Sequence, residues 1–146
     1  MTFTCTTPVR FSDIDHAGIM YYPRFFHLFH VAFEELWRDR LGPRAYSQLL
    51  DHDRVGFPAV KADCEFVAPL RFGDTAEIEI SVTRFGTKSI TFHYDVSRAA
   101  DDRPRVLCAR GHVVCAVTDL ARFVAIPIPE RILDLLHDLE RPDPPG

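Results

Sequence analysis

Apolar positions recur along this chain with two different periods, and the switches between them mark out its elements. From Phe25 onward, Phe25, Phe29, Ala32, Phe33, Leu36 and Trp37 return every three or four residues, which is one stripe along an α-helix. Pro23 suits the first turn of that helix, where a missing N–H costs nothing, and Gly42-Pro43 stops it. The span between them makes a rod of about 27 Å. Residues 2–10 alternate weakly and predict a first strand. After the polar stretch Asp51–Arg54 the period becomes two. Val60, Ala62, Cys64, Phe66 and Ala68 alternate with Lys61, Asp63 and Glu65; Ala76, Ile78, Ile80 and Val82 alternate with Glu77, Glu79 and Ser81. Pro69 and Phe72-Gly73-Asp74 separate those two runs. Phe85-Gly86 turns the chain into Ile90, Phe92, Tyr94 and Val96, and 99–104 reads as a loop. Val106 to Val117 is the longest strand, with little polarity on either face. A short helix from Glu130 to about Glu140 follows, apolar at Ile132, Leu133, Leu135, Leu136 and Leu139.

The order is strand, long helix, four strands in hairpin sequence, short helix. This is the α+β class with an antiparallel sheet. One helix covers one face of such a sheet, so the two apolar faces of Val106–Val117 predict that a second copy buries the other surface or an edge. The chain has no internal repeat and no linker. Its 146 residues make a single domain at 1–146, with a flexible tail at 141–146. Apolar residues at 47% supply a core that needs neither disulfides nor a structural metal.

Charge narrows the partners. The chain carries 17 basic and 21 acidic residues, a net charge of -4, which argues against a nucleic-acid binder. No run approaches the roughly 20 apolar residues of a membrane span, and the start, Met1–Pro8, lacks the pattern of a secretory signal. A cytoplasmic location is the expectation. Cys5, Cys64, Cys108 and Cys115 form no CxxC pair and no zinc-ligand spacing; the last three sit in strand-like runs and read as small buried hydrophobes.

Candidate chemistry concentrates before the long helix, in Phe11-Ser-Asp-Ile-Asp-His-Ala-Gly-Ile-Met-Tyr-Tyr-Pro23. A carboxylate at Asp13 or Asp15 stands next to a glycine turn that feeds a helix N-terminus. Unpaired N–H groups and partial positive charge at such a terminus polarise a carbonyl and stabilise the oxyanion formed on attack. The same residues also suit a helix cap or a tight turn. Residue types alone leave both readings open. A calcium loop is excluded, because the twelfth position is Arg24 where a bidentate Glu is required. His27 and His30 lie three apart without a metal motif around them, and His30 borders the apolar stripe. His93 and His112 read as sheet histidines. There is no G-x-S-x-G and no phosphate-binding glycine loop.

Asp13-Ile-Asp15-His-Ala-Gly18-Ile-Met-Tyr-Tyr22-Pro23 before an aromatic helix resembles the 4-hydroxybenzoyl-CoA thioesterase branch of the hotdog superfamily. Gly56-Phe-Pro58, Phe66-Val67, Lys88-Ser89 and Ile126-Pro-Ile-Pro129 extend the resemblance over nearly the whole chain. It implies a hotdog fold, a five-stranded antiparallel sheet wrapped around one long central helix with a short C-terminal helix. It implies hydrolysis of an acyl-CoA to free acid and CoA, with an aromatic acyl group favoured by the ring-rich helix. Asp15 then matches the catalytic carboxylate, as nucleophile or general base. Backbone N–H groups near Tyr22 and Gly18 match the carbonyl-polarising site. His16, which stands where that branch often has Pro, and His30 fall near the substrate. Lys88, assisted by Arg84, is placed for the CoA phosphates. No metal or cofactor is implied beyond CoA as part of the substrate. Dimers, or dimers of dimers, with sites at subunit interfaces are implied as well. An acyl-carrier-protein thioesterase and a non-catalytic acyl-CoA-binding protein are the competing functions on the same scaffold.

Overall fold

The structure, a computed structural model, describes residues 1–99 and 104–143. In chain order the elements are β1 (Phe3–Pro8), α1 (Arg24–Leu41), α2 (Ala45–Asp51), β2 (Val55–Gly56), β3 (Ala59–Phe66), β4 (Thr75–Phe85), β5 (Ser89–Ala99), β6 (Val106–Ala116), β7 (Thr118–Asp119), β8 (Val124–Ala125) and α3 (Glu130–Leu136). Helix α1 follows the periodic stripe. Pro23 caps it at φ -64°, ψ -20°, and Gly42 leaves it at φ 98°, a value glycine adopts without strain. Its buried face is Phe25, Leu28, Phe29, Ala32, Phe33, Leu36 and Trp37.

β1, β4, β5, β6 and β3 hydrogen-bond in that order into one antiparallel sheet that packs on α1. This is the hotdog arrangement. On β5 the inward residues Ile90, Phe92, Tyr94 and Val96 are buried, and Thr91, His93 and Asp95 face the other way. Phe33 sits at the centre of the core, with the rings of Trp37, Tyr46, Phe57 and Phe92 all within 6.0 Å of its own. Phe29 stacks on Tyr94 at 4.6 Å. That stacking needs a bare position on the neighbouring strand, and Gly111 provides it. A Cβ there would lie 2.2 Å from the Asp63 carbonyl oxygen and 2.9 Å from the Phe29 ring.

Three expectations change. The four strands do not follow one another as hairpins. β4, β5 and β6 do, but β3 crosses to the far edge and pairs with β6. The segment from Val67 to Asp74 is long enough to span the about 14 Å of three strand spacings, and the Val67 and Ala68 N–H groups donate to the Cys108 carbonyl on the way. β6 is therefore an inner strand, and the edges of the sheet are β1 and β3. β6 turns Arg110 and His112 outward, whereas Val60 and Phe66 of β3 are 65% and 49% exposed. Cys64 accordingly is only half-buried, while Cys108 and Cys115 are buried as expected. The third change is an additional short helix, α2, anchored by buried Leu49 in a stretch to which the periodicity assigned no element.

α3 buries Ile132 and Leu136, and the turn after it buries Leu139. Most of the loop expected at 99–104 and the end of the expected tail lie outside the described residues. The tail's first residues are held: the Arg141 N–H donates to the Val82 carbonyl at 2.7 Å. Among the described residues, no helix is long and apolar enough to cross a membrane.

Candidate active site

The segment before α1 folds into a miniature hairpin. Ile14 bridges Met20, the Asp15 N–H donates to the Ile19 carbonyl at 2.9 Å, and the Gly18 N–H donates to the Asp15 carbonyl at 3.0 Å. Gly18 takes φ +82°, which the last position of such a turn requires and which other residues rarely adopt. The Asp15 carboxylate accepts the Ala17 N–H through Oδ1 at 2.8 Å, a side-chain mimic of a backbone turn. Oδ2 has no partner among the described residues, and the side chain is exposed. Asp15 thus fixes its turn with one oxygen and offers the other.

Asp13 has a different task. It is 6% exposed. Its Oδ2 accepts the Arg10 N–H at 2.8 Å, and its Oδ1 accepts both the Nε and a terminal nitrogen of Arg24 at 3.0 and 2.6 Å. Burial alone would raise its pKa. The Arg10 N–H and the Arg24 guanidinium outweigh that, with His27 acting in the same direction, and hold it below the ordinary carboxylate range. Arg24 is the first residue of α1, so Asp13 ties the hairpin to the helix start. Its carbonyl also accepts the Tyr21 N–H at 2.9 Å.

One residue further on, the Tyr22 N–H has no acceptor among the described residues. The N–H groups of Arg24, Phe25 and Phe26 are already turned inward to the carbonyls of Tyr21, Tyr22 and Pro23. The Tyr22 side chain is 61% exposed and packs edge-on against Phe66 of β3 at 6.0 Å. A free donor at the positive end of an 18-residue helix is a site for a developing negative charge. Gly18 supplies the turn rather than a second free donor, because its N–H is engaged.

A cavity of 440 Å³ runs alongside α1, between the helix and the β6–β3 end of the sheet. Phe26, Phe29, His30 and Phe33 line it from α1, Tyr46 from α2, Phe57, Pro58, Ala59 and Ala62 from β3 and the segment before it, and Tyr94, Val113 and Cys115 from the sheet. This size suits a small organic ligand. Burial pushes the Cys115 thiol up to about 12 and the Tyr46 phenol up to about 12, and it raises the Tyr94 phenol too. The thiol therefore supplies no thiolate at neutral pH. Both phenols stay protonated, and neither hydroxyl has a hydrogen-bond partner among the described residues. Each can donate to a polar group in the cavity.

The other expected site residues fall as follows. His30 stands at the cavity wall, exposed, with Nε2 3.1 Å from Glu34 Oε1. His16 is exposed in the same turn as Asp15. Asp15 itself does not line the cavity. Lys88 and Arg84 are exposed around the β4–β5 turn. The Asp15 hairpin is tied to the other end of β4, through Val9 N–H to the Asp74 carbonyl and Met20 N–H to the Leu70 carbonyl. Lys88 and Arg84 therefore stand at the opposite end of β4 from the Asp15 hairpin. Tyr46 and Phe57 are pocket residues that periodicity did not single out, and it placed Tyr94 only as an inward strand residue. Phe57 lies in the Gly56-Phe-Pro58 signature, the one available signal.

A sheet rolled on one helix, with a carboxylate and a free N–H at that helix's start, is an arrangement chemically able to polarise a carbonyl and to attack it or activate a water. The profile of the thioesterase-like superfamily matches residues 9–136, and the chain belongs to that superfamily. It is 25% identical over 142 residues to a 1,4-dihydroxy-2-naphthoyl-CoA hydrolase of Synechocystis sp., covering 97% of this chain and 99% of that one. It is 26% identical over 136 residues to a 4-hydroxybenzoyl-CoA thioesterase of Pseudomonas sp., covering 92% and 96%. A thioesterase-superfamily structure from Jannaschia sp. CCS1 superposes with a TM-score of 0.86 at 26% identity, covering 96% of this chain and 94% of that one.

Proposed function

We propose that this protein hydrolyses the thioester of an aromatic acyl-CoA to the free acid and CoA. The observation that carries the reading is the aromatic-walled cavity beside a helix that begins with a free N–H at Tyr22. An acyl group lying along α1 would put its carbonyl near that N–H, where the oxyanion of the tetrahedral intermediate gains a donor. Asp15 either takes a proton from the water that attacks the carbonyl carbon, or attacks that carbon itself to give a mixed anhydride that water then hydrolyses. In both routes the C–S bond breaks, the CoA thiolate leaves, and a proton restores the thiol. The ring-lined walls favour a flat acyl group. Tyr46, Tyr94 and His30 favour one with polar substituents, as the names of both relatives suggest.

The working unit in this proposal contains at least two chains, as a dimer or a dimer of dimers. Two observations support it. Among the described residues β3 leaves its outer edge unpaired with Val60 and Phe66 exposed, and Lys88 and Arg84 stand at the end of β4 opposite the Asp15 hairpin, where they can serve the CoA phosphates of a neighbouring chain's site.

The test is thiol release from 4-hydroxybenzoyl-CoA and a straight-chain acyl-CoA by the wild type and Asp15→Asn. A general-base or nucleophile role predicts that the variant keeps its fold and loses about 10²–10⁴-fold in kcat. Unchanged turnover in a folded Asp15→Asn protein removes Asp15 from the chemistry. Tight thioester binding without turnover by the wild type identifies a binding protein instead.

A further inference from the structure

The outer face of the sheet, turned away from α1 and the cavity, carries a polar cluster that thioester hydrolysis does not use. His93 on β5 and His112 on β6 are direct cross-strand partners. His93 Nδ1 and His112 Nε2 face each other at 3.1 Å. Behind each ring stands a carboxylate: Asp95 Oδ1 lies 3.0 Å from His93 Nε2, and Asp63 Oδ1 lies 3.3 Å from His112 Nδ1. Asp143, in the segment after α3, brings its Oδ1 to 3.2 Å from the inner nitrogen of His112.

Hydrogen-bond accounting makes this arrangement incomplete. A carboxylate accepts, so Asp95 and Asp63 each hold the outer N–H of one ring. A neutral imidazole has only one N–H. Both inner nitrogens are then left with lone pairs pointing at each other and, at His112, at a third carboxylate. A cation between them resolves the conflict. Carboxylates on the far nitrogens are also the arrangement that orients metal-bound histidines and raises their basicity.

We infer that His93, His112 and Asp143 form a binding site for one divalent transition-metal ion of the zinc class. Zinc bonds to imidazole nitrogen of about 2.0–2.1 Å place tetrahedral donors about 3.3 Å apart, close to the two observed separations. The three candidate ligand atoms all lie within 4.8 Å of one another, so closure asks for a small rotation of the Asp143 side chain. Water would complete the coordination. Two of the ligands belong to adjacent strands and the third to the chain's C-terminal segment, which already hydrogen-bonds to β4 through Arg141. The ion would staple that segment across the sheet, a structural role apart from Asp15. No spacing motif marks the cluster, because the histidines are 19 residues apart and meet only through strand register.

Calorimetric titration of the tag-free, chelator-treated protein with zinc sulfate tests this. The expected result is one saturable site per chain with a micromolar or tighter Kd. Binding should weaken at least tenfold in His93→Gln and His112→Gln and several-fold in Asp143→Asn, and zinc should raise the Tm of the wild type and not of the double histidine variant. Asp143→Asn changes the ligand set without touching the sheet, so a histidine variant that fails to fold leaves the question decidable. Substitution with cobalt should give the visible bands of a tetrahedral site. The inference is overturned if the wild type takes up no saturable zinc, which would mean that a proton alone joins the two rings. It is equally overturned if Asp143→Asn or the double histidine variant binds zinc as the wild type does.

Discussion

Replacing Gly111 with alanine perturbs one point where β3, β6 and α1 converge. The added Cβ would sit 2.2 Å from the Asp63 carbonyl oxygen, and 2.9 and 3.0 Å from two atoms of the Phe29 ring. A carbon and an oxygen in ordinary contact are about 3.3 Å apart, so about 1 Å of displacement must be found. Neither neighbour yields easily. The oxygen is backbone in a strand whose register pairs Cys64 with Gly111, and the ring is fully buried and stacked on Tyr94. Overpacking of this kind costs about 1–3 kcal/mol, and the rigidity of both neighbours places Gly111→Ala at about 2–3 kcal/mol. At about 3 °C per kcal/mol for a chain of this length, Tm falls by about 6–9 °C. The urea midpoint should drop with the m-value unchanged. Since Phe29 and Ala62 both line the cavity, KM for an aryl-CoA should rise as well. A variant whose Tm and midpoint match the wild type would refute the close approach of the three elements.

Two further outcomes follow from charge and from the sheet edge. The Asp13 carboxyl is held below its unfolded value by Arg10 and Arg24, so its contribution is complete above that ordinary value of 3.8 and drains away as pH falls toward the depressed folded value. Asp13→Asn should cost about 1–2 kcal/mol at pH 7, a figure kept small by the partial exposure of Arg24. Its acid-unfolding profile should be shallower than that of the wild type; a wild-type slope in urea titrations from pH 7 to 3 would contradict the assignment. Val60→Lys puts a charge on the open edge of β3, and sedimentation equilibrium should show the variant dissociating at protein concentrations where the wild type remains paired. A wild type that is monomeric throughout would exclude pairing.

Periodicity made most of the scaffold legible. The stripe of α1 and the alternation of β4 and β5 reflect burial on one side, which leaves a direct trace in residue order. Strand order left none: β3 has the same alternation whether it pairs with β4 or with β6, and the crossover depends on the geometry of Val67–Asp74. The two-residue strands β2, β7 and β8 are too short to show a period, and α2 buries little beyond Leu49 and Tyr46. At the site, Asp13 and Asp15 are the same residue type two positions apart. Residue type does not separate them; the resemblance singled out Asp15, and the contacts add that Asp13 holds the helix start while Asp15 leaves one oxygen without a partner among the described residues. The aromatic residues of α1 could be read as core or as pocket, and they are both. Phe29 and Phe33 are buried, yet each also presents a face to the cavity.

Strand β3 has two faces of influence. Ala59 and Ala62 form part of the cavity wall, and the same strand is the open border of the sheet. If two chains pair along β3, as proposed, pairing would also hold one wall of the cavity, and a ligand that fills the cavity would hold the strand used for pairing. Thermodynamic linkage makes that coupling reciprocal: substrate tightens association by the factor by which association tightens substrate. In the assembly proposed above, turnover per chain would depend on how much protein is present, and dilution alone would switch the reaction off.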